Sequence, residues 1–287
     1  MKPAAFEYLR PASLAEALGQ LARGGEGAKV IAGGQSLGPM MNMRLAQPRQ
    51  LVDLNDLTEL SYAREQGSWV EVGALTRHYQ VAESPVVRER CPLLAQAAQT
   101  IGHYAIRQRG TLGGSLAHAD PAAQFVLAAI TLGARLKIVR EGGQREVAAA
   151  DFFLGPMTTA LEPGELLLST LWPKARAGEG AALRLFNRRR GDYAIVAAAA
   201  TVRLEAGCVA DVRLGLAGAQ PVPLALADRM GPFIGRQADS GWAAEAAQAI
   251  ASNLSPQDDG RIPVTYRREL ARHLIEAALA AASQPAA

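Results

Sequence analysis

Two glycine pairs, eighty residues apart, constrain this chain more than any other feature: Gly33-Gly34 within AGGQSL (residues 32–37) and Gly113-Gly114 within RGTLGGSL (residues 109–116). Glycine has no Cβ, so its backbone takes positive φ readily and approaches an anion closely. Successive N–H groups in such a turn form an anion-binding concavity. A single pair is ordinary turn punctuation. Two of like pattern point to one pyrophosphate gripped from two sides, with Ser36, Thr111 and Ser115 adding hydroxyl donors and Arg107 or Arg109 adding charge-assisted contacts. There is no G-x-x-x-x-G-K-[ST] and no G-x-G-x-x-G that opens a helix after a strand, so neither a P-loop nor a Rossmann site is read.

Composition narrows the function classes. With 287 residues, 49% hydrophobic but only 5% aromatic, the core must be built from Ala, Leu and Val. The net charge of +3 is too small for a nucleic-acid binder. Arg188-Arg189-Arg190 lacks interleaved aromatics, and reads as a solvated strand edge or a cationic rim that could meet an acidic partner or an anionic nucleotide. Cys91 and Cys208 are too few for an iron–sulfur cluster, which takes four thiolates. No apolar leader precedes them, so reduced thiols and a cytoplasmic location are expected. No apolar run reaches membrane-spanning length. His78, His103, His118 and His273 have no ligand spacing, so no metal site is expected, and no Ser/His/Asp arrangement is legible.

The periodicity predicts a helix capped by Ser13 with Glu16 at N3, ending at Gly24-Gly25. Strands are predicted at Lys29–Ala32, Leu51–Leu54 and Trp69–Gly73, and helices at Arg77–Glu83 and Pro92–Ile101. Asp120-Pro121 reads as N-cap and N1 of a helix running to Gly133. Strands at Arg135–Arg140 and Leu166–Trp172 follow. The polar stretch Lys174–Gly180 reads as a domain boundary. Beyond it come strands at Ala182–Phe186, Ala194–Leu204 and Val209–Gly215, the last two forming a hairpin, and helices at Gly241–Asn253 and Thr265–Ala282. Tyr266, Leu270, Leu274 and Ala278 form the expected apolar stripe of the last helix. Strands and helices mix without strict alternation, so the class is α+β.

Four segments in this order, AGGQSL, RGTLGGSLAHADPAA, DFFLGPMTTALEPGELL and RRRGDYAIVAAAA, resemble the FAD-binding medium subunit of the molybdenum hydroxylases, with the carbon monoxide dehydrogenase type the nearest likeness. The resemblance spans about Phe6 to the last helix. It implies a two-subdomain FAD-binding domain of the vanillyl-alcohol oxidase/PCMH type over residues 1–176 (subdomains about 1–58 and 59–176). A smaller α+β domain over residues 177–287 would close over it. Carried over position by position, the FAD contacts are Lys29, Val30, Ile31, Ala32, Gly33, Gly34, Gln35 and Ser36 for the first loop and Thr111, Leu112, Gly113, Gly114 and Ser115 for the second. Ile101 and Leu161 take the places of further FAD contacts, and Tyr193 that of an aromatic shield on one flavin face.

There are two departures. Gln124 stands where the family usually has Asp or Glu, removing a negative charge and raising the expected flavin potential slightly. Arg184 is a weak substitute for a family lysine. The resemblance further implies a molybdenum-pterin large subunit and a 2Fe–2S small subunit in a heterotrimer, paired into a dimer of trimers. Electrons would pass from the clusters through FAD to an acceptor such as NAD, a quinone or oxygen. Two alternatives stay open at this point: a stand-alone FAD-dependent reductase of the same superfamily, and a flavin-free scaffold subunit.

Overall fold

The computed structural model of the chain describes residues 2–256 and 258–284. Ser13 opens the first helix as its sequence requires. Its hydroxyl accepts from the Glu16 N–H at 3.2 Å, and the Glu16 carboxylate reaches back to the Ala12 N–H at 2.8 Å. This helix, α1 (Leu14–Gly24), buries Ala17, Leu18 and Leu21 against a small parallel sheet. The sheet has β1 (Glu7–Leu9), β2 (Ala28–Ile31) and β3 (Gln50–Asp53) in the order β1-β3-β2. Parallel neighbours need crossovers: α1 makes one, and α2 (Leu37–Asn42) lies on the other. β2 is therefore an edge strand, and its carboxyl end, where ligands of parallel sheets gather, runs straight into Gly33-Gly34.

A second unit is built on five antiparallel strands: β4 (Ala63–Gln66), β5 (Trp69–Gly73), β6 (Arg135–Arg140), β7 (Gly143–Ala148) and β10 (Leu166–Pro173), ordered β4-β5-β10-β6-β7. A two-stranded ribbon of β8 (Phe153–Gly155) and β9 (Thr158–Thr159) flanks it. One face of the large sheet carries the helices α3 (His78–Glu83), α4 (Pro85–Arg90), α5 (Pro92–Thr100), α7 (Leu112–His118), α8 (Gln124–Leu132) and α9 (Ala149–Phe152), while α6 (Tyr104–Arg109) lies against α3 and buries no residue of its own. The other face buries Glu71. Burial alone would raise its carboxyl, but Lys137, Arg64 and Ser169 all donate to it and hold it at about 2. All nine residues of α8 are buried. A helix apolar on every side has no place at a surface, and QFVLAAITL is such a helix.

The last unit is an antiparallel sheet of β11 (Glu179–Phe186), β12 (Val196–Glu205), β13 (Cys208–Ala217) and β14 (Leu224–Ala225) in chain order. Its alternation sorts the core. Leu183, Ala197, Ala199 and Ala217 join the core containing α8. Ala182, Val196, Ala198 and Ala200 face α10 (Ser240–Ser252) and α11 (Val264–Ala282). The sheet is thus sandwiched between α8 and the terminal helices. The architecture is α+β, as expected.

Four local expectations need correction. Gly113-Gly114 is not a loop but the first turn of α7, with Thr111 as N-cap accepting from the Gly114 N–H at 3.1 Å. Asp120-Pro121 does not begin the next helix. The Asp120 carboxylate closes its own turn onto the Ala122 N–H at 2.8 Å, and α8 starts only at Gln124; a side chain that bonds two residues ahead competes with capping. The α11 stripe is rotated. Arg267, Ala271, Ile275, Ala278, Leu279 and Ala282 are buried, while Tyr266 is exposed. The rotation follows from Arg267, whose Nη1 donates to the Ile195 and Gly218 carbonyls and Nη2 to Asp259, while its buried Nε has no partner among the described residues. The strand expected from Ala194 begins at Val196. Both cysteines are free thiols, and burial pushes that of Cys91 up to about 12, leaving it unreactive. Among the described residues no helix is long and apolar enough to cross a membrane, and no cluster of His, Cys, Asp or Glu could hold a metal.

Candidate functional site

The first glycine loop is a row of uncommitted donors. Among the described residues, no backbone N–H from Gly33 to Leu37 donates to a protein acceptor. The carbonyls are engaged: Gly33 by the Gln35 side chain at 2.8 Å, Gly34 by Gly38 and Ser36 by Met40. Gly34 sits at φ +67°, where a side chain would be strained. Gly33 is required for a different reason. A Cβ there would lie 2.1 Å from the Arg109 carbonyl oxygen and 2.8 Å from the Gly110 Cα. The two glycine segments therefore meet, and Gly33 is where their backbones touch.

The second segment works differently. The Gly113 N–H donates to the Ala74 carbonyl at 2.9 Å and the Leu112 N–H to that of Thr76 at 2.9 Å. With Gly114 bonded to Thr111, these amides are already spent on the fold. What the segment offers a ligand is an exposed Gly114 without a side chain, beside the half-buried Ser115.

A third element closes the cleft. Tyr193 lies on the loop between β11 and β12. The residue is 57% exposed, and its phenol is near enough to Ser36 and Asp120 to be shifted by both. Desolvation there and the Asp120 charge raise the phenol above its ordinary value, while Ser36 acts in the opposite sense. The same loop is seated on the second unit by Gly191, at φ +92°, where a Cβ would meet the His103 ring at 2.4 Å. The first loop, the end of α7 and a C-terminal loop thus converge.

The other expected residues are placed as follows. Lys29 is exposed on the edge strand β2, and Val30 and Ile31 are half-buried beside it. Ile101 is the C-cap of α5, packed on the main core. Gln124 is only 4% exposed at the start of α8, yet its amide makes no hydrogen bond to another group of the chain among the described residues. Leu161 packs half-buried against the same core, its N–H on Thr159. Arg184 is not brought to the cleft: it shares the β11 face of Ala182, toward the terminal helices, and bonds the Leu183 carbonyl. Arg107 is also committed, its guanidinium holding the carbonyls of Ile101 and Gly102 at 3.1 and 2.8 Å.

Three residues were missed. Asn55 and Arg77, with Ala32, Gly33, Gln108 and Arg109, line a cavity of about 280 Å³ behind the first loop. His78 is buried with Nε2 3.0 Å from the Thr111 carbonyl and its ring edge-on to Phe125. Gly110 packs on it so closely that a Cβ would lie 2.6 Å from the imidazole. The position of Asn55, just past a strand end and two residues after Asp53, was the available signal; nothing local marks Arg77 or His78.

Burial, reinforced by the charges of Arg107 and Arg77, pushes His78 down to about 4 against the bond to Thr111, so the ring is neutral and donates from Nε2. The unfolded chain takes up this proton first, near the ordinary histidine value of about 6.5. Stability from this residue is therefore complete above about pH 6.5 and is lost as pH falls toward about 4. The loss approaches roughly 3 kcal/mol on the linkage relation. Denaturant melts at pH 7 and pH 5 should show it, and His78→Gln should flatten the difference.

A family model described as the FAD binding domain in molybdopterin dehydrogenase matches residues 4–175, and one described as the CO dehydrogenase flavoprotein C-terminal domain matches residues 181–282. The carbon monoxide dehydrogenase medium chain of Hydrogenophaga pseudoflava is 36% identical over 98% of this chain and 98% of its own. The alpha subunit of the 6-hydroxypseudooxynicotine dehydrogenase complex of Paenarthrobacter nicotinovorans is 36% identical over 98% and 96%. Among solved structures, a chain of quinoline 2-oxidoreductase from Pseudomonas putida 86 superposes with a TM-score of 0.94 at 36% identity, covering 99% of each chain.

Proposed function

Because this chain belongs to the FAD-binding subunits of the molybdopterin dehydrogenases, of the carbon monoxide dehydrogenase medium-chain type, we propose that it is the subunit connecting the 2Fe–2S clusters of a small partner to an external electron acceptor. A molybdenum-bearing large subunit would complete the heterotrimer. In this reading residues 1–176 bind the cofactor and residues 177–287 close over it. The observation that carries the proposal is the run of unpaired N–H groups from Gly33 to Leu37 opening where Ser36, Asp120 and Tyr193 converge.

The residues present fit FAD. Free backbone donors and the side-chain-free Gly33, Gly34 and Gly114 suit a diphosphate bridge, as do the hydroxyls of Ser36 and Ser115. The unbonded amide of Gln124, on a residue otherwise buried, suits the polar edge of a flavin, since it can both donate and accept. When bound, FAD supplies a centre that exchanges one or two electrons. The chain's own part is to anchor, to exclude water and to set the field around the ring. Tyr193 covers one side of the cleft with an aromatic face, and Ile101 and Leu161 contribute apolar walls. No side chain in the cleft is assigned a proton-transfer role.

The test is made on the complex co-purified with its partner subunits and reduced by its substrate in a stopped-flow instrument. Flavin bleaching should follow cluster bleaching. Removal of FAD should abolish turnover with the external acceptor while cluster reduction by substrate persists. Turnover that survives flavin removal would reject the proposal.

A further inference from the structure

We propose that Asn55 and Arg77 are positioning residues of the FAD site, forming a side-chain bridge that ties the first glycine loop to the segment leading into the second. The inference rests on the FAD reading above. Asn55 Nδ2 donates to the Ala32 carbonyl at 2.8 Å, and its Oδ1 accepts from Arg77 Nη2 at 2.7 Å. Arg77 Nη1 donates to the Arg109 carbonyl at 2.5 Å. The chain of contacts therefore runs from one loop's carbonyl to the other's, across the point where Gly33 meets Arg109 and Gly110.

The captured carbonyls are informative. A peptide unit is planar, so holding the Ala32 oxygen fixes the direction of the Gly33 N–H in the same plane. That N–H is the first of the unpaired run. The bridge residues are themselves held. Asp53 Oδ1 accepts from the Asn55 N–H at 2.9 Å, and the Arg77 N–H donates to Gln80 Oε1 at 2.8 Å. Arg77 also keeps its guanidinium half-buried, where Arg109 adds to the cost of its charge, while its bonds go to neutral acceptors. A planar fork that reaches two acceptors in fixed directions explains arginine here; a lysine offers a point charge without that geometry.

The experiment uses the full chain, freed of flavin and titrated with FAD by fluorescence, alongside melts of the flavin-free protein. The variants are Arg77→Lys, Asn55→Ala, their combination and Gln50→Ala, which removes a bond to Glu7 in the same unit but outside the bridge and its supports. Each bridge variant should weaken FAD binding by about tenfold or more, the size typical of lost supporting contacts. The double variant should be no worse than the weaker single one, because both cut one bridge. Gln50→Ala should bind as wild type does. Unchanged affinity in the bridge variants, additive losses, or an equal loss in Gln50→Ala would overturn the inference. If Arg77→Lys does not fold, Asn55→Ala against Gln50→Ala decides it. A wild-type chain that takes up no FAD would sink the functional reading and the inference with it, whereas normal wild-type uptake beside unaffected bridge variants would sink the inference alone.

Discussion

Gly33→Ala is expected to strip the protein of its flavin while leaving most of the fold intact. The added methyl would lie 2.1 Å from the Arg109 oxygen and 2.7 Å from its carbonyl carbon, and both are backbone atoms that cannot rotate away. The only relief is separation of the two glycine segments, which also pulls the Arg109 carbonyl from Arg77. Overpacking of this kind costs about 1–3 kcal/mol. Taken from the bound state, that is roughly a tenfold to hundredfold loss of FAD affinity. Gly38→Ala is the control, since its methyl meets nothing within 4 Å inside α2. It should bind FAD normally and gain up to about 1 kcal/mol of helix propensity. FAD titration of the two variants checks the contrast; normal binding by Gly33→Ala would show that the segments need not touch.

Gly113→Ala should fail in the opposite way, through the fold. Alanine at a helix position is worth about 1 kcal/mol more than glycine. Here the methyl would stand 2.5 Å from the Ala74 Cβ and 2.8 Å from the Ala74 oxygen, within the main core. It would push α7 off the end of β5 and break the bond from the Gly113 N–H to Ala74. The clash and the lost buried bond outweigh the propensity gain by about 2–3 kcal/mol, a fall of roughly 5–10 °C in the melting temperature of the flavin-free chain. A melt matching wild type would mean that α7 can shift freely.

These two glycines show how far the sequence carried. Both pairs were legible as positions where the backbone must come close to something. What each approaches was not legible, because Gly33 opposes a carbonyl seventy-six residues away and Gly113 opposes Ala74. Treating the pairs as equivalent loops missed the capping power of Thr111, which makes the second one helical. α8 was recognisable from its apolar run, but its start was misplaced, since the Asp120 side chain serves the preceding turn. β4 (AREQ) and β7 (GQREVA) were not read at all. They are edge strands, largely exposed, and show no alternation to detect. The Asn55–Arg77 pair was beyond reach because its members stand twenty-two residues apart and meet only through the tertiary fold.

The wholly buried α8 has a consequence for how this protein can move. Thr131 nests against Gly215 of β13, and Arg213 caps the helix by donating to the Leu132 carbonyl at 3.3 Å. A rod with no wet side cannot serve as a hinge: swinging the C-terminal half away would lay bare its greasy flank and the sheet face that covers it. If an external acceptor reaches the coenzyme as proposed, the opening is expected in the short, largely exposed stretch from Asn187 to Tyr193 and not at the α8 joint.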